Sequence, residues 1–349
     1  MINDESNLMP RLPLKRHVVH WLHAAMYWCG AASTYVSAFR VRGAVVLMYH
    51  SVSPPGAARW IAPRNRITPK EFEAQMRFLS HHRTVMAMDQ LLHAIEGGEP
   101  PSAGSVVITF DDGYQDVLTV AAPILESYGL PAIVYLPTGQ ISSGEVPWAD
   151  DIYTMFRART RQTLIVGDRI FDLRNPAARQ AAFTAVHSRM IRSDPDDRRM
   201  LAQLVEEQLR PLARAPRLTL SWQQVREMVR RFPFISIGVH TVNHVDLSCR
   251  TGNAIRNELQ QCQSDVEREI GLRPLHFSFP YNRVCSDARE VLMELGYRSA
   301  VCSGARCLVD GGSDRFILPR IDVPRSMTLF RFCTSGAYPG LSQALLGRI

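Results

Sequence analysis

Two short stretches, Thr109-Phe110-Asp111-Asp112-Gly113 and His240-Thr241-Val242-Asn243-His244, hold a pair of carboxylates and two imidazoles. Together they are the donor set for one divalent cation with a base beside it. Two His and one carboxylate bind zinc-like ions and leave positions open for water and substrate; a cation so held polarises a carbonyl and lowers the pKa of a water toward about 7. The other Asp is then free to take that water's proton. Each fragment alone has a plainer reading: Asp-Asp-Gly is also a turn sequence, and two His four residues apart are a weak motif. What lifts them is context. The first follows the apolar run Val106-Val107-Ile108 and the second follows Phe234-Ile235-Ser236-Ile237-Gly238-Val239, while Phe277-Ser278-Phe279-Pro280-Tyr281 ends a third such run. Residues just past the strand ends are where parallel α/β folds place their chemistry.

The elements that must position these residues can be read in outline. Ala44–Tyr49 reads as a strand, Pro69–His82 as a helix begun by Thr68, and 89–96 as a second helix. A Gly- and Pro-rich linker at 97–104 precedes the Asp-Asp strand, and a helix over 116–128 leads to a strand at Ala132–Leu136. That is β-α-β alternation, the pattern of a parallel sheet or barrel. From 147 to about 220 the sequence becomes charged and helical, with helices at 177–192 and Pro195–Leu209 and a hairpin at 163–173. This reads as an insertion covering one side of the site. Ser221 caps the helix that restarts the core, and helices at 254–270 and 286–295 flank a strand at 276–279.

In their order these segments resemble the polysaccharide deacetylases of carbohydrate esterase family 4, the NodB-homology domain. The resemblance covers about residues 43–325 and includes Leu47-Met48-Tyr49-His50-Ser51-Val52, Trp148-Ala149-Asp150-Asp151, Leu295-Gly296-Tyr297 and Leu318-Pro319-Arg320-Ile321. It implies an α/β fold, a (β/α) barrel that is distorted or incomplete, carrying the helical insertion. It implies Asp111 as catalytic base, Asp112, His240 and His244 as metal ligands, and the backbone N–H of Tyr281 as a holder of the oxyanion. Two departures stand out. The family's third motif carries an Arg that pairs with the base, where this chain has Ser278 and Phe279, and the Leu-x-His motif that supplies a general acid has no counterpart near Leu318, where Arg320 stands. A subset of the family shares this Phe-x-x-Pro-Tyr and Leu-Pro-Arg style. His50, at the end of the first strand, is the candidate for the acid or for a substrate contact.

Composition bounds the rest. The 349 residues, 46% of them hydrophobic, suffice for one large core, and a net charge of +7 favours an anionic partner. Arginines are spread along the chain without an interleaved aromatic-basic motif, so no nucleic acid is expected. Seven Cys without paired spacing indicate a reducing, cytoplasmic setting. Residues 1–42 read as a basic amphipathic segment: Lys15, Arg16, Arg40 and Arg42 surround an apolar stretch with Trp21, Tyr27 and Trp28. Such a segment suits an anionic membrane surface, which would put the protein peripherally on the inner face of the cell membrane; a terminal helix packed on the domain is the other reading. Residues 43–325 form the catalytic domain and 326–349 a C-terminal tail. The expected activity is metal-dependent removal of the N-acetyl group from an amino-sugar glycan in cell-surface polysaccharide or glycolipid biosynthesis. Zinc is the default ion, and cobalt, nickel, manganese or iron suit the same ligands. O-deacetylation is the enzymatic alternative, and a catalytically degenerate glycan-binding scaffold the non-enzymatic one.

Overall fold

The computed structural model describes residues 22–23, 25–304, 307–338 and 340–341. Its strands are β1 (Ala44–Tyr49), β2 (Ser51–Val52), β3 (Arg66–Ile67), β4 (Thr84–Val85), β5 (Ser105–Phe110), β6 (Ala132–Leu136), β7 (Thr163–Val166), β8 (Arg169–Asp172), β9 (Ile235–Val239), β10 (His276–Ser278), β11 (Ser299–Ser303) and β12 (Leu318–Asp322). Seven of them hydrogen-bond in the order β1, β12, β11, β10, β9, β6, β5, all parallel, and β5 pairs again with β1. The ring closes into a barrel. It is distorted at β5, whose lower half pairs with β4 and whose upper half pairs with β6.

Closure explains the strand sequences. β1, β5 and β6 read AVVLMY, SVVITF and AIVYL and are buried on both faces, as parallel strands between a lumen and a helical shell must be. One parity, Val45, Leu47, Val106, Ile108 and Val134, packs with shell residues such as Phe72, Met76 and Val225; the other, Val46, Val107, Ile133 and Tyr135, packs with Met88, Leu91 and Leu92. The shell helices start where the sequence says they should. Thr68 and Glu71 form a capping box on Pro69–His82, and Ser221 and Gln224 form another on Trp222–Arg231. The 116–128 helix departs from the expectation: Val117–Ala121 is a wide π turn that runs into Ala122–Ser127. Pro123 lacks the N–H that a regular helix needs there.

The insertion has its own core. Helix Trp148–Ala158, the β7–β8 hairpin and helices Pro176–Arg192 and Pro195–Leu209 bury Ile152, Phe156, Leu164, Phe171, Phe183 and Val205 together. Lys15, Arg16 and Trp21 lie outside the described residues. Beyond them the helical path breaks at Gly30 (φ 79°) before Ala31–Ala38, and Met26 and Ala32 pack on Phe332, Ala337 and Leu341. His23 stacks on Phe332 with ring centroids 4.9 Å apart. This part is therefore packed on the domain, with Trp28 (65% exposed) and Phe39 (70%) facing solvent. No helix among the described residues is long and apolar enough to cross a membrane. The segment after 325 is more than a tail, since Met327–Cys333 is a helix that sends Phe330 and Cys333 into the main core.

Candidate active site

Every residue singled out from the sequence sits at the carboxyl end of a barrel strand. His50 follows β1, Asp111 and Asp112 follow β5, His240 follows β9, and Phe279 to Tyr281 follow β10. The backbone fixes their heights: Asp111 N–H donates to Tyr49 O (3.0 Å) and His240 N–H to Leu136 O (2.9 Å). Asp112, Thr241, His244 and Tyr281 all carry positive φ, between 50° and 66°. Such backbone costs about 1–3 kcal/mol per residue, and it gathers where side chains must be aimed at a ligand.

The aim is visible. His240 Nε2 lies 3.6 Å and His244 Nε2 3.2 Å from Asp112 Oδ1, and the three donor atoms lie within 4.8 Å of one another. The other ring nitrogens face protein. His240 Nδ1 is 2.7 Å from Ser278 O and His244 Nδ1 is 3.0 Å from Tyr281 Oη, the outer contacts that turn Nε2 toward an ion. Asp112 Oδ1 is buried with no hydrogen-bond partner. An orphaned carboxylate oxygen between two imidazole nitrogens fits a divalent cation, which would satisfy all three. Burial pushes the Asp112 carboxyl up, but His244, His50 and His240 outweigh it and hold it well below the usual range. Burial lowers His240 to about 4, so its ring is neutral, the form that coordinates metal.

Asp111 stands apart from this trio, and its partner comes from an unexpected strand. Arg320 of β12 reaches across the lumen and grips both its oxygens, Nη1 to Oδ1 at 2.8 Å and Nη2 to Oδ2 at 2.6 Å. The same guanidinium donates to Thr109 Oγ1 (3.1 Å) and Ser278 Oγ (2.8 Å). Arg320 thus gives Asp111 the arginine partner that the family's third motif would carry where this chain has Ser278 and Phe279. The only signal for it in the sequence is a charge inside the strand-like Leu318-Pro319-Arg320-Ile321. Burial raises the Asp111 carboxyl, and Arg320, with His240 and His50, overcomes that and holds it ionised.

The insertion reaches the site through two residues that the sequence did not mark for the purpose. Trp148 Nε1 donates to Tyr281 Oη (2.9 Å), which in turn donates to His244 O (2.9 Å). Arg198, buried and stacked 5.5 Å from the Trp148 ring, donates from Nη1 to Asn243 O (3.1 Å) and His244 O (3.2 Å). From the barrel side, the Glu258 carboxylate accepts from the N–H of Val242 and of Asn243. The loop between the two His is clamped from both flanks. A cleft of about 560 Å³ opens over the trio, lined among others by His50, Arg64, Trp148, His187 and Tyr281.

A closed parallel barrel with a His-His-Asp trio and an arginine-paired Asp at its carboxyl end defines a (β/α)-barrel hydrolase site. The family profile described as polysaccharide deacetylase matches residues 98–300, and the chain belongs to that family. Among curated relatives, the polysaccharide deacetylase YxkH of Bacillus subtilis is 36% identical over 93 residues, 26% of this chain and 30% of that protein. The poly-beta-1,6-N-acetyl-D-glucosamine N-deacetylase of Escherichia coli is 35% identical over 98 residues, 28% of this chain and 14% of that one. The matched segments thus span less than a third of either relative. Two solved structures share the fold: the Streptococcus pyogenes deacetylase PplD in complex with acetate (TM-score 0.57, 17% identity, covering 84% of this chain and 98% of that one), and IcaB from Ammonifex degensii (TM-score 0.54, 18% identity, 85% and 97%).

Proposed function

We propose that this protein is a divalent-metal-dependent deacetylase that hydrolyses the N-acetyl group of an amino sugar in a cell-surface polysaccharide or glycolipid. The observation that carries this reading is the convergence of Asp112, His240 and His244 in the same cleft as an Asp111 held ionised by Arg320. The Escherichia coli relative, whose name specifies N-deacetylation, supports the amide over the ester.

Asp112, His240 and His244 would hold the cation. A divalent ion there, zinc by default, supplies Lewis acidity toward the acetyl carbonyl and its attacking water. Asp111 takes the proton of that water through Oδ1, which keeps a lone pair beyond its bond to Arg320, whereas Oδ2 accepts from both Arg320 and Ser278 Oγ. As the carbonyl carbon becomes tetrahedral, the Tyr281 amide N–H donates to the oxygen that gains charge. The C–N bond then breaks, and the departing nitrogen needs a proton, which His50, lining the same cleft, supplies. The products are acetate and a free amino sugar.

The test is acetate release from N-acetylated oligosaccharides, soluble and lipid-linked, by protein loaded with zinc and by protein stripped with a chelator. Loaded protein is expected to release acetate and stripped protein to lose that activity until the ion is restored. Release of acetate from O-acetylated but not N-acetylated glycans would replace this reading with O-deacetylation, and binding without release would replace it with the scaffold.

A further inference from the structure

Among the described residues no hydrogen bond holds the His50 ring, so its place in the cleft is set by its backbone neighbours. On one side Tyr49 O accepts from Asp111 N–H (3.0 Å). On the other, Ser51, Val52 and Ser53 all turn toward one buried carboxylate. Asp116 Oδ1 accepts from Val52 N–H (3.0 Å), and Oδ2 accepts from Ser51 Oγ (2.6 Å) and Ser53 Oγ (3.4 Å). The two hydroxyls are themselves 2.5 Å apart. Asp116 is 8% exposed and stands four residues after Asp112, on the loop that carries the base and a metal ligand. That loop is anchored in turn, by Gln115 N–H to Leu218 O (2.8 Å).

We propose that Asp116 is a positioning residue for His50: through Ser51, Val52 and Ser53 it fixes the backbone from which the imidazole reaches the departing nitrogen. The proposal rests on the assignment of His50 as proton donor. A carboxylate is a costly choice for a buried strut unless its position matters. Burial indeed raises Asp116 to about 6 against the bonds from Ser51, Val52 and Ser53. In return, bonds to a charged acceptor are shorter and stiffer than neutral ones. One loop thereby sets the base directly and the acid at one remove, so the two proton-transfer groups keep their spacing.

The test separates position from general integrity by leaving group. An amide nitrogen must be protonated to leave, whereas a nitrophenolate leaves without a proton. Asp116→Asn keeps the shape but replaces one of the two acceptor oxygens with an NH2 and removes the charge that holds Val52 N–H, Ser51 Oγ and Ser53 Oγ together. It is expected to lower kcat on an N-acetylated oligosaccharide by about 10- to 100-fold, the scale of a misplaced reacting group. KM, zinc content and turnover of nitrophenyl acetate should stay at parental values. In a His50→Ala background, Asp116→Asn should add no further loss. Should Asp116→Asn not fold, the double variant Ser51→Ala with Ser53→Ala carries the same test. Equal losses on amide and aryl ester, or equal losses with and without His50, would overturn the proposal while leaving His50 as donor. If His50→Ala alone retains full amide turnover, the donor assignment fails and this inference with it.

Discussion

Replacing Arg320 with Met probes the pairing on which Asp111, the base of the proposed mechanism, depends. Met fills much of the same volume but leaves Asp111, whose side chain is 3% exposed, without a cation. Its remaining bond is the one from Ser278 Oγ at 3.3 Å. Two unit charges about 4 Å apart attract by about 4 kcal/mol at an effective dielectric near 20, and removing one member of a buried pair costs about 3–5 kcal/mol. Asp111 has two ways to respond. It stays ionised and the fold bears that cost, or it protonates and the base is lost. In the parent the folded carboxyl is held below its ordinary value, so its contribution is present above pH of about 4 and lost as pH falls. In the variant the largest opposing charge is gone and burial is met only by His240 and His50, so the folded carboxyl rises and the stability it contributes above pH of about 4 shrinks. Urea unfolding at pH 5 and pH 8 should therefore show a parent–variant gap that widens with pH toward about 3–5 kcal/mol. The acid limb of kcat/KM should move up with it. Arg320→Lys keeps the charge but not the two-pronged grip, and should fall between. A gap under about 1 kcal/mol at pH 8, with the acid limb unmoved, would refute the reasoning, since an exposed pair contributes no more than that.

Asp112→Ala, His240→Ala and His244→Ala should each lose bound zinc and activity together while the unfolding transition persists; stoichiometric metal in all three, measured by elemental analysis, would remove the site assignment. Asp111→Asn should keep the metal and lose turnover by roughly 10²-fold or more, as expected for a positioned base; parallel loss of both would make it a ligand. Asp150, fully buried, accepts from Tyr114 Oη (2.5 Å) and Ala62 N–H (2.9 Å), and burial raises it to about 7. Its folded form prefers the proton, so stability is fully present below an unfolded pKa near 3.9 and falls as pH rises through about 7, by an order of 4 kcal/mol; Asp150→Asn should flatten the pH dependence of Tm between pH 5 and 8, and an unchanged slope would contradict this. In the membrane-surface reading of the N-terminal segment, Trp28→Ser with Phe39→Ser should weaken salt-resistant co-sedimentation with anionic vesicles without altering acetate release from a soluble glycan, and undiminished binding would remove those two residues from the surface.

Sequence reading reached whatever was contiguous. Asp111 and Asp112 share one turn and His240 and His244 another, so their chemistry could be named from spacing, and the strand runs before them placed both at sheet ends. The insertion was legible because helical periodicity and charge change at residue 147. What escaped depends on contacts between distant segments. Arg320 pairs with a residue 209 positions earlier in the chain, and in one sequence a lone Arg after Leu-Pro carries no sign of its partner. Trp148 stood in a segment of family-like sequence without a role and Arg198 was one Arg among many, and only packing brings them against the His244 loop. The N-terminal segment was ambiguous for a related reason: the apolar side of a short helix reads the same whether lipid or Phe332 covers it.

The pairing of first and last strands also sets an order of assembly. Asp111 leaves the ribosome with β5, whereas its counterion arrives only with β12, after the insertion and four further barrel strands have been made. Until then the nascent base has no guanidinium, and a collapsed intermediate can bury it only in the protonated form. Closing the ring is therefore what allows Asp111 to be buried with its charge. Long-range closure of this kind is slow, because chain entropy must be lost before the final contacts form. A lag between compaction and the appearance of activity belongs to this topology, and acid should shorten the first stage while delaying the second.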